Sequence, residues 1–180
     1  MQPPPKKGMS VAVIILIVLG VVAVPAIGIV VVLGVYGTRK YVANAKTAEA
    51  KNVLGQIAKD AVIAFEGEDD NGRVRHRLCP SARASVPADR SLVSGRKYQS
   101  ASGEWDVDRT RNAGFACLKF EMITPQYFQY EYEATSKGFI ARAHGDLDGD
   151  GIFSTFEIQG QIVGDRLVIT PSILETNPEE

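Results

Sequence analysis

A long segment without any charged side chain, from Met9 to Tyr36, constrains the fold of this chain more than any other feature of its sequence. Most of its residues are Val, Ile, Leu, Ala or Gly. As a helix the segment would be about 40 Å long, whereas the hydrocarbon core of a bilayer is about 30 Å thick. It is also much longer than the apolar region of a secretory signal, which has about 7–15 residues. The sequence therefore predicts one transmembrane helix over residues 9–37.

Proline and glycine occur within this apolar segment, at Pro25, Gly20, Gly28, Gly34 and Gly37. Such residues are tolerated in membranes where neighbouring helices approach closely. We therefore expect a kinked helix that contacts other helices as well as lipid. Basic residues flank the segment on both sides, so charge alone does not decide which end is cytoplasmic.

The rest of the chain has the composition of one small globular domain. Its 180 residues allow a single domain with a modest core. A net charge of −1 argues against a nucleic-acid partner, which would require a clustered basic surface. The short basic run at 73–77 follows several acidic residues, and we interpret it as a solvated loop.

Periodicity predicts an α+β fold with a long N-terminal helix, transmembrane and then amphipathic, packed on a small antiparallel sheet of four to five strands. The helix continues over 38–67, and 68–113 is a loop region held by Cys79 and Trp105. The sheet occupies 114–171, and 172–180 is a tail. The helix is expected to bury Val42, Ala45, Leu54, Ile57, Ala61 and Phe65, with Lys46, Glu49, Lys59 and Asp60 opposite. Strands are expected at 115–120, 127–132, 138–144, 153–163 and 166–170.

One chemical motif stands out between two of the predicted strands. Residues 146–157 match the twelve-residue calcium loop D-x-[DN]-x-[DN]-G-x5-E without mismatch. The predicted Ca²⁺ ligands are Asp146, Asp148, Asp150, the carbonyl of Ile152, Ser154 and Glu157. Because strands and not helices flank the loop, the ion would have a structural role. The alternative is an Asp/Gly-rich turn with solvated carboxylates.

Catalytic patterns are missing from the sequence. It has two histidines, His76 and His144, and no HExxH, GxSxG or phosphate-binding loop. We therefore expect no enzymatic activity.

The N-terminus carries the features of a known family. Lys6-Lys7-Gly8, followed by Met9 and the apolar helix, resembles the leader and cleavage junction of type IV prepilins. The resemblance implies that residues 1–8 are a leader, that a prepilin peptidase cuts after Gly8, and that Met9 is then methylated. Further pilin-like phrases lie at 44–52, 117–120 and 125–130. One position departs from the family: pilins carry glutamate at the fifth mature position, where this chain has Val13.

The resemblance implies that the predicted α+β fold is pilin-like and that the chain is a structural subunit of a type IV pilus or type II secretion pseudopilus. Its partners would be the prepilin peptidase, other pilin subunits and the membrane. The subunit would sit in the inner membrane with a periplasmic C-terminal domain, and in an extracellular filament after assembly. The alternative, which Val13 favours, is a single-pass, calcium-stabilised periplasmic binding module that does not polymerise.

Two cysteines, Cys79 and Cys117, follow the apolar segment and lack the spacing of a metal site. An exported domain would join them in a disulfide, which would contribute roughly 4 kcal/mol, whereas a cytosolic domain would hold two reduced, buried thiols. Export of the domain favours the disulfide.

Overall fold

The computed structural model describes residues 10–68 and 72–178. The chain divides into two compact units, Met1–Val42 and Ala43–Glu180. The predicted cleavage and methylation site at Gly8 and Met9 lies outside the described residues.

Helix α1 begins at Val11 and ends at Glu66. In the first unit its apolar side chains are exposed wherever the structure describes them; Val22, Val30 and Leu33 each expose more than 60% of their surface. This is one helix near the N-terminus that is long and apolar enough to cross a membrane. The predicted helix is therefore confirmed in its length and its apolar composition.

In the second unit, α1 buries one face against the sheet. The buried residues include four that the sequence predicted: Leu54, Ile57, Ala61 and Phe65. The predictions for Val42 and Ala45 are wrong, because both side chains are exposed. Ala45 precedes Leu54 by nine residues, and this separation places it half a turn away from the buried face. Ala50 and Ala58 are buried instead.

The sheet is an antiparallel meander, as predicted. Its strands are β1 (Gln129–Thr135), β2 (Gly138–Gly145), β3 (Ser154–Val163), β4 (Arg166–Ile169) and β5 (Leu174–Thr176). The first four are hydrogen-bonded in sequence order, and β5 also pairs with β3. The prediction that 172–180 is only a tail is therefore wrong, because it contains this short fifth strand.

The segment that was predicted as a strand at 115–120 is a helix. Helix α3 runs over Gly114–Leu118. Its C-cap residue is Lys119, whose φ of 59° is left-handed. Phe115 and Leu118, three residues apart, are both buried in the core. A spacing of three places both side chains on one helical face, whereas a strand would point them to opposite faces.

The loop region 68–113 is held to the core as the sequence predicted. Helix α2, Ser102–Trp105, presents the Trp105 ring to Phe115 and Phe120 at 4.9 and 5.3 Å. A disulfide joins Cys79 to Cys117 in α3. Two 3₁₀ helices, Arg90–Val93 and Arg109–Arg111, complete the region.

One glycine of the sheet is predicted to be irreplaceable. A methyl group at Gly138 would come within 1.9 Å of the Gly160 carbonyl oxygen, which is backbone and cannot rotate away. We expect Gly138→Ala to lower the free energy of unfolding by about 3 kcal/mol. Chemical denaturation of the full-length chain in detergent micelles measures this change. Gly103→Ala is the matched control, because nothing lies within 4 Å of that position; equal losses in both variants would contradict the prediction.

Candidate functional site

Three carboxylates converge in the loop between β2 and β3. One oxygen each of Asp146, Asp148 and Asp150 lie within 4.8 Å of one another. The loop turns sharply at Gly149 and Gly151, whose φ angles of 82° and 92° favour glycine. The alternation of acids and glycines in the sequence thus produces the cluster.

Asp146 anchors this loop from inside the domain. It is completely buried and accepts hydrogen bonds from the Ser94 hydroxyl and from the backbone N–H groups of Gly149 and Gly151. Burial alone would raise the pKa of Asp146, but these hydrogen bonds outweigh it and lower the pKa. The carboxylate is therefore held ionised.

Asp148 and Asp150 lie on the exposed side of the loop. Each accepts one hydrogen bond from the backbone two residues later, Asp148 from the N–H of Asp150 at 3.2 Å and Asp150 from that of Ile152 at 2.7 Å. A carboxylate has about four lone-pair sites, so each retains acceptor capacity for a further ligand.

The remaining predicted ligands are placed differently. Glu157 lies on β3, where its carboxylate accepts hydrogen bonds from Arg142 at 2.7 Å and from Gln159 at 2.6 Å. The buried Ser154 hydroxyl donates to the carbonyl of Gly145, and Ile152 is exposed. The structure brings together the three aspartates and does not bring Glu157 to them.

The donor set fits a hard divalent cation in part. Three converging carboxylates supply the oxygen ligands that Ca²⁺ prefers. Closing the shell with Glu157 would require its ion pair with Arg142 to break, whereas the loop without Glu157 keeps an open, exposed side. The residues therefore fit a shallow cation site better than a closed twelve-residue cage.

A second polar cluster, which the sequence did not reveal, joins α1 to β1. The Glu49 carboxylate accepts a hydrogen bond from the backbone N–H of Tyr127 at 2.7 Å and one from the Tyr130 hydroxyl at 3.4 Å. Lys46 and Lys97 lie over the Tyr127 ring, 4.8 and 4.7 Å from its centre. The sequence analysis placed Glu49 on the face of α1 opposite its apolar residues, and the structure instead brings its half-buried carboxylate to the backbone N–H of Tyr127.

The Glu49 cluster gives a testable pH dependence. Burial raises the pKa of Glu49 above its ordinary value of 4.5, against the hydrogen bonds from Tyr127 and Tyr130. The contribution of this group to stability is therefore full below about pH 4.5 and is lost as pH rises through the folded-state pKa. We expect Glu49→Gln to remove this loss, because glutamine still accepts both hydrogen bonds without carrying a charge. Unfolding free energies across pH 4–8 test this; unchanged pH dependence would contradict it, and Glu66→Gln, at the exposed end of α1, is the control.

A polar network covers the face of the sheet opposite α1. Arg142 bridges Glu133 and Glu157 across three strands, at 3.1 and 2.7 Å. Beside it, buried His144 contacts the Thr155 hydroxyl at 2.9 Å and a Glu131 oxygen at 3.5 Å. Glu133 therefore pairs with Arg142, and Glu131 lies 3.5 Å from both Arg90 and His144.

Comparison with known proteins adds no relative to this picture. No protein-family model matches the chain, and no curated protein or solved structure matches it significantly.

Proposed function

We propose that this chain is a structural subunit of a type IV pilus or a type II secretion pseudopilus. The proposal rests mainly on the part of α1 that lies in the first unit, which is long and apolar and whose described apolar side chains are exposed. The proposal is supported by the second unit, in which the later part of the same helix packs on an antiparallel meander.

The exposed helix requires an apolar environment. Burying one valine, isoleucine or leucine side chain away from water is favourable by about 1.5–3 kcal/mol. The exposed helix would lose this stabilisation at each such side chain that stayed in water. Lipid would cover them before assembly, and the helices of other subunits would cover them within a filament. Apart from the backbone of the helix itself, no described atom lies within 4 Å of the positions that a Cβ would occupy at Gly20, Gly28 and Gly34, so another helix has room to approach there.

The N-terminal sequence supports the same proposal. Residues 6–9 resemble a prepilin junction, so processing by a prepilin peptidase would leave Met9 as the first residue. Val13 removes the carboxylate that pairs with a neighbouring N-terminal amine in pilins. Subunits would then associate through apolar contacts and close backbone approach rather than through that charge pair.

The deciding experiment measures the intact mass of the membrane-extracted protein, with and without a functional prepilin peptidase. A mass that matches a chain beginning at Met9, with or without one added methyl group, is expected only when the peptidase is active. An uncut chain in the presence of active peptidase would overturn the proposal. Detection in sheared surface filaments would extend the result from processing to assembly.

The alternative is an anchored periplasmic binding module that does not polymerise, and the departure at Val13 favours it. This module predicts an unprocessed chain that remains in the membrane fraction after shearing. The two experiments above therefore distinguish both functions.

We further propose that the loop at 146–150 binds Ca²⁺ in a structural role. Ca²⁺ at about 10 mM should stabilise the domain by about 1–3 kcal/mol, if the affinity resembles that of extracellular calcium modules. Asp148→Asn/Asp150→Asn should remove this stabilisation, whereas Asp165→Asn, in the β3–β4 turn, should keep it. Thermal unfolding with Ca²⁺, Mg²⁺ or chelator tests the proposal, and equal stabilisation of the double variant would contradict it.

A further inference from the structure

A cleft with a volume of about 950 Å³ combines three parts of the second unit that are distant in the sequence. Its walls are the last turns of α1, the segment 73–80 and the region around α3. Five cationic side chains line it, from Arg73, Arg75, Arg77, Arg111 and Lys119, together with the acids Asp60 and Glu68. Cations thus exceed acids in the described lining, although acids exceed cations in the whole chain. Asp69 and Asp70, next in the sequence, lie outside the described residues.

Several of these cations have unsatisfied hydrogen-bonding capacity. Among the residues that the structure describes, no hydrogen bond or ion pair is made by the side chains of Arg75, Arg77 or Lys119. Arg111 lies 3.8 Å from the Asp108 carboxylate, too far for a hydrogen bond. A guanidinium carries five N–H donors in a planar fork that matches a carboxylate, so Arg75 and Arg77 can bind anions without first breaking a pair within the described residues.

The rest of the lining favours carboxylates over a single-stranded nucleic acid as the bound anion. The described residues of the cleft include no aromatic side chain, whereas single-stranded nucleic acids are bound by aromatic side chains on which bases stack. The lining instead offers aliphatic surface: Ile63 exposes 59% of its area, Val74 exposes 45%, and both lie beside the arginines. A lining in which cationic and aliphatic side chains alternate is complementary to a ligand in which carboxylates and aliphatic side chains alternate.

We propose that this cleft binds an acidic peptide segment of a partner protein that alternates carboxylate and aliphatic side chains. Its carboxylates pair with Arg75, Arg77 and Lys119, and its aliphatic residues cover Ile63 and Val74. Recognition of acidic motifs by arginine clusters is a recurring mode of peptide binding. The proposal concerns the second unit and does not depend on cleavage or filament assembly.

The first test uses the full-length chain in non-ionic detergent micelles and a fluorescently labelled peptide of alternating glutamate and leucine. We expect saturable binding that weakens with added salt. Arg75→Gln/Arg77→Gln should raise the Kd at least about tenfold. Arg166→Gln/Lys137→Gln removes the same charge at exposed positions outside the cleft, and it should leave the Kd within about twofold.

A second pair of measurements separates the aliphatic part from simple charge attraction. Ile63→Ser should weaken binding of the glutamate–leucine peptide severalfold and leave binding of poly-glutamate unchanged. Thermal unfolding confirms that each variant remains folded. The proposal is overturned if the peptide does not bind, if both charge-neutralised variants lose the same affinity, if Ile63→Ser has no selective effect, or if single-stranded DNA or a sulfated polysaccharide binds more tightly than the peptide.

Discussion

Replacing Cys79 and Cys117 with serine is expected to lower the free energy of unfolding by about 4 kcal/mol. The disulfide joins residues 38 positions apart, and breaking it releases that loop in the unfolded chain. Cys79 is buried in the core, and Cys117 belongs to the short helix α3. Because a five-residue helix has little stability of its own, we expect α3 to separate from the core in the variant.

Denaturant unfolding of the full-length protein in micelles measures this loss. The wild-type chain in the presence of excess reductant is the matched control, because it removes the same bond without changing any residue. Both samples should unfold at the same, lower denaturant concentration. A loss below about 1 kcal/mol would show that packing holds α3 without the covalent bond.

Trp105→Ala is expected to lower the free energy of unfolding by about 3–5 kcal/mol. The Trp105 side chain is almost completely buried, and its ring contacts those of Phe115, Phe120 and Tyr130. Its indole N–H donates to the Ser100 hydroxyl at 2.8 Å. The substitution would leave a cavity between the loop region and β1, as well as a buried hydroxyl without its donor.

Two variants control this experiment. Trp105→Phe keeps an aromatic ring and should lose less stability than Trp105→Ala, because its cavity is smaller. Val107→Ala removes apolar atoms from a side chain that is 50% exposed, and it should change stability by less than about 0.5 kcal/mol. A loss at Trp105→Ala no larger than that at Val107→Ala would contradict the central role of the tryptophan.

The sequence predicted the features that depend on regular spacing. Strand-like periodicity from Gly138 onward predicted β2, β3 and β4 nearly as they are observed. The 3.6-residue period likewise identified Leu54, Ile57, Ala61 and Phe65 as core residues of α1. The Asp-x-Asp-x-Asp-Gly spacing predicted the convergence of three carboxylates, because every second side chain of the loop points to the same side.

Features that depend on tertiary contacts were not predictable from one sequence. Helix α3 is five residues long, and a short apolar segment does not distinguish a helix from a strand. Glu49 lies among the polar residues of the α1 sequence, yet its carboxylate accepts a hydrogen bond from the backbone N–H of a residue 78 positions later. The register of β2 on β3 places Arg142 opposite Glu157, and this pairing keeps that carboxylate away from the aspartates. The basic cleft combines segments that are separate in the sequence.

The way the sheet ends has a consequence for aggregation. Strands β4 and β5 lie along the same side of β3, but they contain only four and three residues. At the opposite edge, backbone bonds from Ala82 and Val86 cover β1. Each strand at the β3 edge offers an incoming chain too few consecutive backbone groups for a long ladder, although Val168 and Leu174 there are exposed and apolar. This divided edge would keep neighbouring copies of the domain from adding strands to one another.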